Sequence, residues 1–163
     1  MKYFAYGSNM SLTRLRERVP SAERVGMFSL KEHDLAFHKS SKDGSGKCDA
    51  YFTGNMEDNI FGALFEIDEN EKRSLDRAEG LGYGYDEKVV QVEDDQGNFF
   101  EAITYVATNI DGSLVPYSWY LNHVIVGAQE IGVPVSYLEK IQAVTTSEDS
   151  NKERDKEQRE MYS

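Results

Sequence analysis

Tyr3-Phe4-Ala5-Tyr6-Gly7-Ser8-Asn9-Met10 begins as an aromatic run and breaks into a glycine-serine-asparagine turn. Tyr-Phe-Ala-Tyr suits a buried strand, because aromatic side chains pack well on a pleated surface. Gly7 is free to adopt a positive φ, and Ser8 and Asn9 can hydrogen-bond their own backbone. Residues 11–19 then read as a short helix that stops before Pro20. A strand turning through such a loop into a helix aims backbone N–H groups outward. That concavity attracts an anion, unless it is simply a tight connection.

Around this stretch, the totals bound the molecule. A chain of 163 residues fits one domain with a real core, and 39% hydrophobic with 12% aromatic residues is enough to fold it. The net charge of −11 argues against a nucleic-acid or anionic-membrane partner. One cysteine, Cys48, excludes an intrachain disulfide and points to a reducing compartment. It stands in the polar stretch 40–48, so the expected thiol is solvated and without a role. With no signal peptide, apolar span or lipidation motif in the sequence, the expectation is a soluble, cytoplasmic protein. Nothing in the sequence speaks to its oligomeric state.

Strand patterns fill the first two-thirds. Residues 22–30 and 34–39 predict two strands joined by a polar turn, and residues 40–47 a flexible loop. Residues 50–53 and 60–67 predict strands, the second apolar enough to be buried on both faces. Asp68 then reads as an N-cap with Glu71 completing a capping box, and the helix ends near Glu79 with Gly80 as its left-handed C-cap. A mobile glycine-rich loop, 80–85, follows. Residues 88–93 and 99–108 predict a hairpin. Pro116 opens a helix with Tyr117, Tyr120, Leu121, Val124 and Ala128 at helical spacing, and Pro134 opens another. From residue 146 the mixed charges predict a tail, solvated or a frayed helix, so residues 1–145 are the expected domain.

Most site chemistries fail on spacing. His33 and His38 are an odd number apart, so on one strand they face opposite ways, and Cys48 has no cysteine partner: no metal is expected. In a phosphate loop ending at Gly46-Lys47, the first glycine falls on Ser41 and Cys48 stands in the magnesium-binding place. The glycines at 80–84 lack dinucleotide-binding spacing, and Ser8 is not in a nucleophile elbow. Glu79 is the odd residue. It falls at the C-terminal end of a helix, where the macrodipole disfavours a carboxylate. A surface glutamate tolerating that penalty and a catalytic carboxylate both fit the placement. Tyr6, Tyr83, Tyr85, Tyr105, Tyr117 and Tyr120 lie near these motifs, each a core residue or a pocket wall.

Together the pieces resemble the gamma-glutamylcyclotransferase family. The resemblance rests on Tyr3-Phe-Ala-Tyr-Gly-Ser-Asn9, Leu75-Asp-Arg-Ala-Glu-Gly80, Tyr85, Tyr105-Val-Ala-Thr-Asn109, Tyr120, Gly127-Ala-Gln-Glu-Ile-Gly-Val-Pro134 and Tyr137-Leu-Glu-Lys-Ile141. It implies an α+β fold, a small mixed β-barrel flanked by helices with the pocket at one end. The strands read from the sequence fit a barrel or an open sheet equally.

The resemblance also implies the reaction: cofactor-independent conversion of a gamma-glutamyl amide to 5-oxoproline with release of the amine. Glu79 matches the family's general acid/base. Tyr6, Gly7, Ser8 and Asn9 match its substrate-binding loop, Tyr85 and Tyr120 its pocket tyrosines, and Tyr105 more weakly so. The implied partner is a small gamma-glutamyl substrate. Removal of a gamma-glutamyl protecting group from a larger acceptor, or ligand binding without catalysis, stays open on the same fold.

Overall fold

Strand β1 (Lys2–Ala5) is paired on both edges, and this settles the architecture of the computed structural model, which describes residues 1–163. On one side β1 runs antiparallel to β5 (Asn59–Glu66), with Phe4 opposite Leu64. On the other it runs parallel to β7 (Phe99–Ala107), with Tyr3 opposite Ile103. β2 (Glu23–Lys31) pairs with β5 and with β6 (Tyr85–Glu93), and β6 forms a hairpin with β7, from Tyr85 opposite Ala107 to Glu93 opposite Phe99. The order β1-β5-β2-β6-β7 closes into a mixed barrel, and closure removes the exposed strand edges an open sheet presents. Phe4, Ile60, Leu64, Phe65 and Val92 on its strands are fully buried. The hairpin begins at Tyr85, three residues before the predicted start.

Two strands stand outside the barrel. β3 (His33–Ser40) and β4 (Gly46–Phe52) form a separate two-stranded sheet. The predicted polar turn between β2 and β3 is a single corner at Glu32, held at φ 65°. A non-glycine residue there is strained, and Glu32 is fixed by its N–H donating to Asp58 O and its carbonyl accepting from Thr53 N. The loop between β3 and β4, expected to be flexible, is cross-tied. Asp43 accepts from Ser41 Oγ, Ser45 Oγ and Lys47 Nζ, while the Tyr117 hydroxyl donates to its carbonyl.

Helix ends follow the predicted capping in part. α1 (Leu12–Arg16) starts where Ser11 Oγ accepts from Arg14 N. α2 (Lys72–Glu79) ends at Gly80, φ 68° and ψ 44°, the expected left-handed cap. Its N-terminal side departs from the capping box: Asp68 Oδ1 accepts from Asn70 N, but Glu71 turns outward to accept from Ser21 N. Ser21 Oγ takes the Asp68 N–H in its place. A tertiary neighbour has replaced the local reciprocal bond. α3 (Ser118–Ile131) begins two residues after Pro116, and α4 (Val135–Gln142) follows Pro134. α3 lies against the turn after β1 at Gly127, where a Cβ atom would stand 2.5 Å from Met10 Cβ and 2.6 Å from Ser11 N. Only glycine permits that approach.

The charged C-terminal segment is not a free tail. α5 (Lys152–Glu160) docks on α3. Asp149, fully buried, accepts from Trp119 Nε1 at 2.9 Å and from Arg154 Nη2 at 2.7 Å. Gln158 Oε1 accepts from Arg14 Nη1 at 2.8 Å, and the Tyr162 hydroxyl sits at His123 Nδ1. The charge pattern shows only the outer face of this helix; the inward Gln158 and Tyr162 are single residues with no periodic signal.

His123 is buried in this contact, and desolvation first, then the Arg14 cation, push its pKa from 6.5 down to about 3. It is therefore neutral in the folded state where the unfolded chain would protonate it, so stability falls as the pH drops from about 6.5 toward 3. Urea midpoints measured between pH 7 and 5 should show the wild type losing more stability than His123→Gln. Parallel losses in the two proteins would count against this origin.

Candidate active site

Seven segments meet at one end of the barrel. β1 delivers Tyr3 and, just past its end, Tyr6; the turn delivers Gly7, Ser8 and Asn9; β4 delivers Cys48. The last residue of α2 is Glu79, the first of β6 is Tyr85, and β7 and α3 add Thr104, Tyr105 and Tyr120. All eight residues matched to the family's site line a single cavity, whereas Tyr83 and Tyr117 lie outside it. Three more join them that the sequence did not signal: Tyr3, Cys48 and Thr104.

Asn9 organises the cavity. Its Nδ2 donates to Glu79 Oε1 at 2.6 Å and to the Tyr3 hydroxyl at 3.1 Å, while its Oδ1 accepts from Arg18 Nη1 at 3.0 Å. The arginine fixes which end of the amide faces the carboxylate. Neither Gly7 N–H nor Ser8 Oγ is satisfied within the protein, and both border the cavity. Gly7 does not use the positive φ the sequence suggested; it lies at φ −112°. Glycine is needed there for closeness, since a Cβ would stand 3.0 Å from Cys48 Cβ and 3.5 Å from the Tyr120 hydroxyl.

The tyrosines have distinct orientations. Tyr85 donates its hydroxyl to Cys48 O, and the Tyr120 hydroxyl accepts from Cys48 N at 3.0 Å, so the two bracket the backbone of one residue. Tyr6 donates to Tyr105 O. Tyr105 shows the cavity its ring, edge-on to Tyr3, and turns its hydroxyl away to Asp76. Burial raises Tyr6, Tyr85 and Tyr120 well above 10, so these phenols keep their protons and act as hydrogen-bonding walls.

Glu79 is the only carboxylate lining the cavity, and its pKa is raised. Desolvation among the tyrosines is the largest cause; Arg18, Arg14, Lys39 and the Asn9 hydrogen bond pull the other way without cancelling it. Its place at the C-terminal end of α2 acts in the same direction as burial. Such a group holds a proton more readily than an ordinary carboxylate and can still give it up. No three His, Cys, Asp or Glu side chains cluster in a way that would hold a metal ion. No helix is long and apolar enough to cross a membrane.

The chain is 30% identical to human gamma-glutamylcyclotransferase over 158 residues, spanning 92% of this chain and 81% of that protein. The chain belongs to the gamma-glutamylcyclotransferase family. That is a family of enzymes, and the bovine gamma-glutamylcyclotransferase is similarly related, 30% identical over 87% of this chain and 77% of its own. The AIG2-like family pattern matches residues 59–141, from β5 to the end of α4. A solved gamma-glutamyl cyclotransferase superposes with a TM-score of 0.84 at 26% identity, covering 96% of this chain and 98% of that one. An uncharacterized human protein superposes with 0.86 at 27% identity, covering 99% and 98%. The barrel expected from the family resemblance is thus the fold observed.

Cys48 is the clearest correction to the sequence reading. It is 2% exposed and forms part of the cavity wall, and burial pushes its thiol up to about 12. The polar residues 41–45 form the loop, whereas Cys48 lies within β4 and is buried. The native protein should resist alkylation by iodoacetamide at pH 8 and react fully in urea. Rapid modification of the folded protein would show that the thiol is accessible.

Proposed function

We propose that this member of the family cyclises the gamma-glutamyl group of a small gamma-glutamyl amide to 5-oxoproline and releases the amine. The observation that carries the reading is a single carboxylate of raised pKa, Glu79, hydrogen-bonded to the glycine-serine-asparagine turn inside a wall of protonated tyrosines. The substrate's own α-amine is the nucleophile, so the scheme uses neither a protein nucleophile nor a cofactor. Glu79 takes a proton from the α-ammonium, whose pKa in peptides is about 7.7–8.0. The free amine attacks the γ-carbonyl carbon and closes a five-membered lactam. The bond from that carbon to the leaving nitrogen breaks, and Glu79 returns the proton to the departing amine.

Gly7 N–H and Ser8 Oγ, both without protein acceptors, are the groups we assign to the substrate's α-carboxylate or to the oxyanion. Tyr6, Tyr85 and Tyr120 shape the folded conformer, and Tyr105 contributes a ring face. Holding amine and carbonyl in contact supplies much of the acceleration, since intramolecular reactions reach effective molarities of about 10⁵–10⁸ M. We place the reaction in the cytoplasm, where the single reduced thiol is at home.

The test is release of 5-oxoproline from gamma-glutamyl amino acids and amines. Glu79→Gln should fold normally and lose about 10²-fold or more in kcat, the scale of a missing acid/base. A variant as active as wild type sinks the assignment. In the wild type, kcat/KM should fall on the acid side as the base form of Glu79 is lost, with an apparent pKa above the ordinary glutamate value of 4.5. An acid limb at or below that value would remove Glu79 as the base.

A further inference from the structure

The cavity described above opens beside Glu79 into a vestibule bordered by Arg14, Arg18, Lys39 and Lys47, with Ser8, Tyr85 and Tyr120 between them. Four cations around one opening stand out in a chain of net charge −11. Lys47 is already engaged, paired with Asp43 at 2.9 Å and lying 4.6 Å from the ring centres of Trp119 and Tyr120. The other three form no salt bridge. Arg18 donates to the neutral Asn9, and Arg14 to the neutral Gln158, with Arg14 Nε buried and without any partner. Lys39 lies 4.7 Å from the Tyr85 ring centre, in room that Gly84 leaves: a Cβ there would stand 2.8 Å from Lys39 Nζ. The nearby carboxylates are committed elsewhere, Asp76 to Lys72 and the buried Asp49 to His38. Lys39 and Glu79 also border the wide outer groove formed with residues 40–42 and 76–81, which gives a leaving group room to extend past the cavity.

The charges can be counted against the ligand. Glu79 and the substrate ammonium cancel, which leaves three unpaired cations facing the ligand's carboxylates. A gamma-glutamyl derivative of a neutral amino acid brings two carboxylates, and one of an acidic amino acid brings three. Resting on the cyclotransferase reading of this site, we infer that it selects gamma-glutamyl compounds whose leaving amino acid has an acidic side chain, with Lys39 as the residue that reads that charge. Partly desolvated cations without counter-ions are costly, and a ligand carboxylate there forms a charge-assisted hydrogen bond.

Gamma-glutamyl-glutamate and gamma-glutamyl-glutamine differ by a charge at almost constant shape, so the pair isolates this term. Wild-type kcat/KM should favour the glutamate compound by about tenfold, the scale of one charged hydrogen bond. The preference should shrink as salt approaches about 1 M, where screening acts over about 3 Å. Lys39→Met should bring the ratio toward one, chiefly through KM. Calorimetric binding of the same two ligands to Glu79→Gln should show the same order in Kd. Equal affinities for the two ligands, or a ratio that Lys39→Met leaves intact, would overturn the inference. If neither compound yields 5-oxoproline but the order in Kd holds, the cyclisation reading fails and the acidic subsite stands. If neither binds, both fall.

Discussion

β1 holds the molecule together because both its edges are used. Pairing with β5 and β7 buries Phe4 completely, and Thr104 Oγ1 donates to Phe4 O at 2.7 Å beside the parallel seam. A strand tied this way cannot slip, since a one-residue shift would turn its inward side chains out. The turn that follows, Gly7-Ser8-Asn9, closes with its own bonds, Met10 N–H to Gly7 O and Ser11 N–H to Ser8 O, and the barrel fixes where it stands at the rim. α3 presses on it from outside through Gly127. The site inherits its position from the most constrained strand in the protein.

Within that frame, two opposed effects set the electrostatics of the site. Burial among tyrosines and the end of α2 both favour the protonated form of Glu79. Arg18, Arg14 and Lys39 favour the charged form, and burial is the larger effect. The balance leaves Glu79 a weaker acid than an ordinary glutamate, with cations at hand when it is charged. The same cations leave a positive rim on an acidic protein, a local field opposite in sign to the net charge.

The C-terminal segment takes part in this arrangement from behind. Gln158 accepts from Arg14, one of the vestibule cations, and Tyr162 meets both His123 and Ser11 Oγ, the cap of α1. α5 thereby supports the helix that carries Arg14 toward the cavity. Its outer face is as polar as the sequence indicates; the inner contacts are what turn it from a tail into a buttress.

Much of this was legible in the chain because it is local. The strand break at Gly7, the left-handed cap at Gly80, the β6–β7 hairpin and the two late helices follow from backbone preferences and periodicity within a few residues. The family resemblance carried the barrel and the choice of Glu79, Asn9 and the tyrosines, none of which periodicity could rank above other core residues. Only the tertiary structure decided the rest. It put Cys48 in the cavity wall, although its sequence neighbours are polar, and it replaced the Asp68–Glu71 capping box with bonds to Ser21. It turned the Tyr105 hydroxyl away to Asp76 and gathered Arg14, Arg18 and Lys39 around one opening. Each of these depends on pairs of residues far apart in the chain, whose proximity is fixed by strand order and barrel closure and leaves no mark on the local sequence.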